Sequence, residues 1–321
     1  MTVARSRGAG ANSADSGGTP WRAVVRGLRS FWANGRPVER WCYRISAFLI
    51  VVGLFHLGVF AVAGGPWQGP VSWRKPTTFG LSFGLTLLTL TWVASFLALG
   101  ERARRTLLGL FAAACVLEVA LITLQAWRRV PSHFDLATPF DAIVARSLAI
   151  GGGALIAIVV AFAIVAFRAN PGTPPSMRLA IRAGFIALLL ALAAGALMIA
   201  EGMLRVFAGD QQGAYTIAAS LKPAHFVAMH GILILPVLAW LLSLADWDES
   251  RRVRLVCIAV AGYALLVGVV SAVSLARIAL TDAPVIAVFL AMLGAVVLCG
   301  AGMVAVVGLM RPAAKSELKE R

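Results

Sequence analysis

Eight apolar stretches, each long enough to cross a bilayer, fill this chain between residues 45 and 310. No other feature limits the fold as strongly. A spanning helix needs about 20 mostly apolar residues. Lipid offers the backbone no hydrogen-bond partners, so each span must be a helix that satisfies its own peptide groups. Of the 321 residues, 60% are hydrophobic and only 13% are charged, which leaves little with which to face water. The expected fold class is all-α, an integral membrane bundle of eight transmembrane helices. We read them as 45–64, 77–99, 106–127, 139–167, 179–203, 223–245, 254–276 and 283–310. The breaks fall at charged or Pro/Gly-rich runs, such as Glu101 to Arg105, Ala169 to Pro175 and Asp246 to Arg254.

Short cytoplasmic loops retain Lys and Arg, so basic residues set the orientation. With the N-terminus inside, 21 of the 29 basic residues lie on the inner side. The other eight are Arg74, Lys75, Arg128, Arg129, Arg146, Arg205, Lys222 and Arg277. Both termini are therefore expected in the cytoplasm, with the chain in a bacterial-type inner membrane. The net charge of +15 then serves topology and attraction to anionic lipids. No basic patch interleaved with aromatics points to nucleic acid.

Residues 1–36 read as a disordered basic tail, 37–310 as the transmembrane domain and 311–321 as a second cytoplasmic tail. The first 40 residues lack the apolar core and small-residue cleavage site of a secretory signal. Within the tail, Trp21, Val24, Val25, Leu28, Phe31 and Trp32 recur at helical spacing, while Arg22, Arg26 and Arg29 take another face. That pattern predicts an interfacial amphipathic helix over about 21–32. The four cysteines, Cys42, Cys115, Cys257 and Cys299, avoid the outer loops and form no metal-ligand spacing, so they read as packing residues.

The helices that run from outside to inside begin alike, with Pro76, Pro139, Pro223 and Pro284 at or near the first turn. Proline fits there because its missing N–H has no helical partner at that position anyway. Thr138 with Asp141 makes a capping box for the fourth helix. Two starts resemble each other further: Lys75-Pro76-Thr77-Thr78-Phe79 and Lys222-Pro223-Ala224-His225-Phe226, both K-P-x-x-F, four spans apart. A parallel 4+4 repeat is compatible with this, as in many transporters.

Ionisable residues within a span are expensive and therefore functional candidates. From the rise of 1.5 Å per residue, His56, Glu118, Arg146 and His230 all lie roughly 10–13 Å below the outer surface. Glu118 and Arg146, on consecutive helices, can also neutralise each other. Gln125 shares the Glu118 face two turns nearer the surface, and Glu201 sits at the outer end of the fifth helix. The outer loops add Arg128, Arg129, His133 and Asp135. Arg74, Lys75 and Lys222 stand at helix N-termini, where a cation opposes the dipole and an anion relieves it. His225 follows in the first turn of the sixth helix. The inner halves of the spans are almost purely apolar.

Three function classes fit these residues. The leading one is binding or transport of a small anionic or amphiphilic ligand through a cationic cavity on the extracytoplasmic side. The second is an intramembrane enzyme that uses haem or a divalent metal held by His56, Glu118 and His230. The third is a structural membrane subunit whose polar residues only join helices. Paired zinc histidines on one helix need positions i and i+4. His225 and His230 are five apart and so diverge by about 140° around the axis. No P-loop, dinucleotide fingerprint, nucleophile elbow or H-E-x-x-H is present.

Overall fold

The computed structural model describes residues 20–217 and 219–310; residues 1–19 of the tail expected over 1–36, and the tail expected over 311–321, lie outside the described residues. The helices are α1 (Pro20–Ala33), α2 (Pro37–Ala63), α3 (Arg74–Ala94), α4 (Glu101–Arg128), α5 (Pro139–Phe167), α6 (Pro175–Phe207), α7 (Gln211–Ile217), α8 (Lys222–Met229), α9 (Gly231–Ser243), α10 (Glu249–Leu275) and α11 (Val285–Met310), with no strand among the described residues. Taking α8 and α9 together as one, eight are long and apolar enough to cross a membrane. Their outward faces carry bare apolar side chains: Ile150 is 74% exposed, Phe207 76% and Val285 86%. A soluble monomer does not carry such a surface; this is the architecture of a multi-pass membrane protein. The end that holds the starts of α3, α5 and α8 is termed outer, after the orientation expected from the basic residues.

The first span starts earlier than its apolar run. Pro37 occupies the first turn, and Glu39 caps it by accepting the Arg36 N–H at 2.8 Å. Polar first turns of this kind are invisible to a search for apolar stretches.

Glycine sets the tightest crossings. A Cβ on Gly80 would lie 2.7 Å from the Gly53 Cα, and one on Gly84 would lie 2.9 Å from the Ser46 carbonyl. The Gly80/Gly84 pair therefore lets α2 and α3 pack backbone to backbone. A Cβ on Gly184 would lie 2.8 Å from the Ile232 Cα and 3.1 Å from the Gly231 carbonyl, so α6 approaches α9 in the same way. Across its apolar window α3 is the most enclosed span, 56% buried against 11% for α11.

The two halves of the chain carry matching local geometry. Arg104 Nη2 donates to the Leu97 carbonyl at 3.2 Å, and Arg252 Nη2 donates to the Ala245 carbonyl at 3.1 Å. Arg129 and Arg277, each just past the end of a helix, take left-handed φ of 58° and 61°. Both close the same turn: Val130 N–H to the Gln125 carbonyl at 3.1 Å, and Ile278 N–H to the Val273 carbonyl at 3.2 Å. In each comparison the second residue lies 148 positions after the first, as Arg252 does after Arg104. Trp92 and Trp240 share that offset and touch, with centroids 6.3 Å apart. Phe31 of α1 packs against both, at 5.7 and 5.8 Å. The amphipathic helix thus sets one face on the inner end of the bundle, with Trp21 and Leu28 left exposed.

The sixth span is broken. At His230 the backbone N–H turns to the Val227 carbonyl at 3.4 Å, an i−3 bond in place of i−4. The Phe226 carbonyl it leaves is taken by His230 Nδ1–H at 2.6 Å. Tyr263 of α10 donates its hydroxyl to the Val227 carbonyl as well. Both carbonyls freed by this break, of Phe226 and Val227, thus find a partner, as lipid depth requires.

Candidate functional site

Three cations gather at the outer end. Arg74 and Lys75 open α3, Lys222 opens α8, and all three are close enough to act on one another electrostatically. None has a carboxylate within ion-pair distance among the described residues, whereas Arg128, Arg205 and Arg277 all do. Lys75 reaches into a recess lined by Pro70, Ser72, Ile122, Val130 and Ser132. Its ammonium donates to the Pro70 carbonyl at 2.8 Å and to Ser132 Oγ at 3.4 Å. Ser72 Oγ is buried in the same wall without a hydrogen-bond partner. Ser132 Oγ and His133 Nδ1 pair at 2.9 Å. Burial, then the nearby Lys75 charge, push the His133 pKa down to about 3, so this ring is neutral. Two helix N-termini, three uncompensated cations and hydroxyl donors make an arrangement suited to an anion.

The loop that carries Ser132 and His133 is held firmly. Phe134 adopts φ of 66°, rare for a bulky residue. Its ring fills the space left by the missing side chain of Gly202 on α6, and its carbonyl accepts from Gln211 Nε2. Asp135 accepts the Ala137 N–H at 3.0 Å and so shapes a turn rather than facing a cation.

Other residues expected at the site are occupied in joining helices. Gln125 Nε2 donates to Asp141 Oδ1 at 2.9 Å, and Thr138 Oγ1 donates to Asp141 Oδ2 at 2.6 Å. Arg128 binds both Gln125 Oε1 and Asp141 Oδ1 and lies over the Phe140 ring at 4.6 Å. This closed clamp joins α4 to α5. Asp141, read from sequence as a cap alone, is its central acceptor. Glu201 pairs with Arg277 across α6 and the end of α10. His225 Nδ1 bonds the Ala191 carbonyl at 2.7 Å. Arg129 is exposed without a partner.

The four ionisable residues expected at one depth do not converge. His56 donates Nδ1–H to the Val52 carbonyl at 2.8 Å and accepts the Trp127 indole N–H on Nε2 at 3.0 Å. Its ring also lies on Trp73, with centroids 6.1 Å apart and planes at 29°. Both ring nitrogens are used, which removes His56 as a metal or haem ligand. Among the described residues no group of three His, Cys, Asp or Glu is placed to hold a metal ion, so the His56–Glu118–His230 set is corrected. Glu118 is buried against Gly151 of α5, and its Oε1 has no partner. Arg146 is exposed, not paired with Glu118. The reason is azimuth. Val144, Leu148, Gly151 and Leu155 form the buried stripe of α5, and Arg146 is two positions from either neighbour, on the far side of the helix.

A buried charge cluster at the inner end escaped the sequence reading. Arg104, 2% exposed, donates to Glu39 Oε1 at 3.1 Å and to the carbonyls of Ala94 and Leu97. Arg36 binds Glu39 at 3.1 Å and Glu101 at 3.2 Å. The inner end is therefore not bare of charge; Glu39 and Arg104 neutralise each other inside the bundle, while Arg36 and Glu101 close the cluster at its surface. The Arg36–Pro37–Glu39 capping pattern was the signal that could have placed Glu39 on a helix.

Comparison with family models, with curated proteins and with solved structures finds no match to this chain.

Proposed function

We propose that this chain is an inner-membrane protein, both termini cytoplasmic, that binds or transports a small anionic or amphiphilic ligand entering from the extracytoplasmic side. The observation that carries this reading is the Lys75 recess, where Arg74, Lys75 and Lys222 lack counter-charges and Ser72 lacks a partner. A phosphate or carboxylate there relieves the mutual repulsion of the cations and supplies the acceptor that Ser72 and the helix N-termini lack.

A parallel 4+4 duplication supports the transport form of the reading. The equivalent arginine bonds, left-handed arginines and paired tryptophans favour it, as do the two K-P-x-x-F starts. Parallel repeats related by an axis along the membrane normal are common in transporters, with the ligand path between the halves. Arg22, Arg26 and Arg29, with Arg44 over Trp32 and Trp41 at 5.6 and 5.1 Å, suit α1 to an anionic inner leaflet.

The ligand test uses purified protein in detergent, with melting temperature followed against chloride, inorganic phosphate, short carboxylates and a lysophospholipid. A ligand at about 100 times its Kd stabilises by about 2.7 kcal/mol. At least one anion should raise the melting temperature of the wild type, and the Arg74→Gln/Lys75→Gln/Lys222→Gln variant should lose that rise. A flat wild-type response, or an undiminished one in the variant, refutes the reading. For orientation, single cysteines at Gly69, Ala137 and Gln211, in a background without the native cysteines, should react with an impermeant thiol reagent added outside. Those at Ala103, Thr173 and Ser250 should not; the reverse pattern overturns the topology.

A further inference from the structure

We infer that the seam between α3 and the α8–α9 break is an intramembrane site for a carboxyl group, held between His230 Nε2 and the hydroxyls of Ser82 and Thr86. The inference rests on the proposed function, because the ligand enters through the cationic recess above. Ser82 lies seven residues after Lys75, and His230 lies eight after Lys222. Both are therefore roughly 10–12 Å below the mouth.

The hydroxyls of α3 carry the first argument. A Ser or Thr within a membrane helix ordinarily satisfies itself on the carbonyl one turn back. Thr77, Thr78, Thr89 and Thr91 do so, on Trp73, Arg74, Leu85 and Leu87 at 2.9, 2.8, 2.8 and 2.7 Å. Ser82 and Thr86 do not, and both line one recess with His230, Met229 and Leu233. The two hydroxyls without a protein partner on the most enclosed span thus face the one histidine at the helix break. At this depth an unpaired hydroxyl is costly, so the recess is built for a polar occupant.

The second argument is the state of the imidazole. Nδ1–H is committed to the Phe226 carbonyl, which leaves Nε2 as the free acceptor of a ring that lines the recess. The break that presents it is a constructed feature, since Tyr263 and the His230 side chain satisfy its freed carbonyls. A Cβ on Gly231 would meet Tyr263 and Ala187 at 2.7 Å each, so the break is also packed in place. Discontinuous helices at a repeat interface are where transporters place their sites.

These groups select the ligand. Nε2 accepts, so the ligand must offer a donor; the hydroxyls can donate, so it must also offer an acceptor. A carboxylic acid does both: its O–H donates to Nε2 and its carbonyl accepts from Ser82 or Thr86. A carboxylate binding with one proton gives the same complex, the proton lying between the carboxyl oxygen and Nε2. Chloride lacks the donor. The enclosed part of the recess is only about 20 Å³, room for roughly one or two waters, so the carboxyl group alone enters and the rest of a small ligand stays on the open side. The ionisable groups near His230 are His225 on α8, close enough to act on it electrostatically, and Tyr263 on α10, bonded to the Val227 carbonyl beside it. From α3 the recess is lined by Ser82, Thr86, Thr89 and Leu85, none of them ionisable.

The test measures radiolabelled butyrate binding to the full-length protein in detergent at pH 5.5 and pH 8, on wild type and on Ser82→Ala/Thr86→Val. That variant removes no protein hydrogen bond and nearly conserves volume. The wild type should bind butyrate at least tenfold more tightly at pH 5.5, and the variant should lose at least tenfold at pH 5.5. His230→Phe should lose binding too, with folding checked by melting temperature. Phosphate stabilisation through Arg74, Lys75 and Lys222 should survive in the Ser82/Thr86 variant. No wild-type butyrate binding, no preference for pH 5.5, or equal binding by the variant overturns the seam site, while persistent phosphate stabilisation leaves the proposed function standing. Loss of anion stabilisation in the wild type itself overturns both.

Discussion

Replacing Glu39 by glutamine should be among the most damaging single changes in this protein, although it alters one atom type. Arg104 is almost wholly buried, and among the described residues Glu39 is the only carboxylate bonded to it, at 3.1 Å. Glutamine nearly keeps the shape and can still accept through its amide oxygen, yet it leaves a guanidinium charge inside the bundle with only neutral acceptors, itself and the Ala94 and Leu97 carbonyls, bonded to it. Removing one partner of a buried ion pair costs about 3–5 kcal/mol, mostly the penalty of the stranded charge. The second substitution, Arg104→Met, should then repair part of the first, because no charge remains buried. It also strips the donor from two carbonyls, at about 1 kcal/mol net each. The double variant should therefore sit about 1–3 kcal/mol above Glu39→Gln alone. Reversible unfolding in mixed micelles, followed by circular dichroism, measures all three. A Glu39→Gln cost under about 1 kcal/mol, or a double variant no more stable than the single, refutes the stranded-charge argument.

Two other outcomes follow from the same geometry. Gly80→Ala should destabilise by about 1–3 kcal/mol through overpacking, because its Cβ lands 2.7 Å from the Gly53 Cα. Gly109→Ala on α4, with nothing within 4 Å, should instead be neutral or stabilising by up to about 1 kcal/mol; thermal melts that rank the two alike would contradict the crossing. On acidification, unfolded His133 takes a proton near its ordinary value of 6.5, while the folded ring resists protonation until about 3. The unfolded state thus binds more protons between those limits, and stability is lost as pH falls through that window. His133→Phe should flatten the fall in melting temperature between pH 6.5 and pH 4, and an unchanged slope would show that His133 does not cause it.

Much of the architecture was legible before any coordinates. Lipid compels helical spans, so a run of apolar residues identifies each one, and the eight appear where the apolar runs lie. Proline starts were likewise readable, because proline acts through its own backbone. Arg74, Lys75 and Lys222 were visible as cations at helix starts, since that mismatch is local. Depth was also readable, at a rise that every helix shares.

Direction around the helix axis was not. It depends on which neighbour each helix chooses, a choice made by packing between residues far apart in sequence. Arg146 matches Glu118 in depth yet faces outward, because the stripe from Val144 to Leu155 is the one that packs. His56 spends both nitrogens on Val52 and Trp127, a partner 71 residues away. Arg104 finds Glu39 across 65 residues, and burial turns two residues that read as surface charges into a clamp. The break at His230 is the clearest case. Pro236 weakens this span locally, because it has no N–H for the Ile232 carbonyl, but it does not say which turn opens. The break settles at His230, where the histidine side chain takes the Phe226 carbonyl and Tyr263 of another helix takes the Val227 carbonyl, and only the assembled bundle supplies the second.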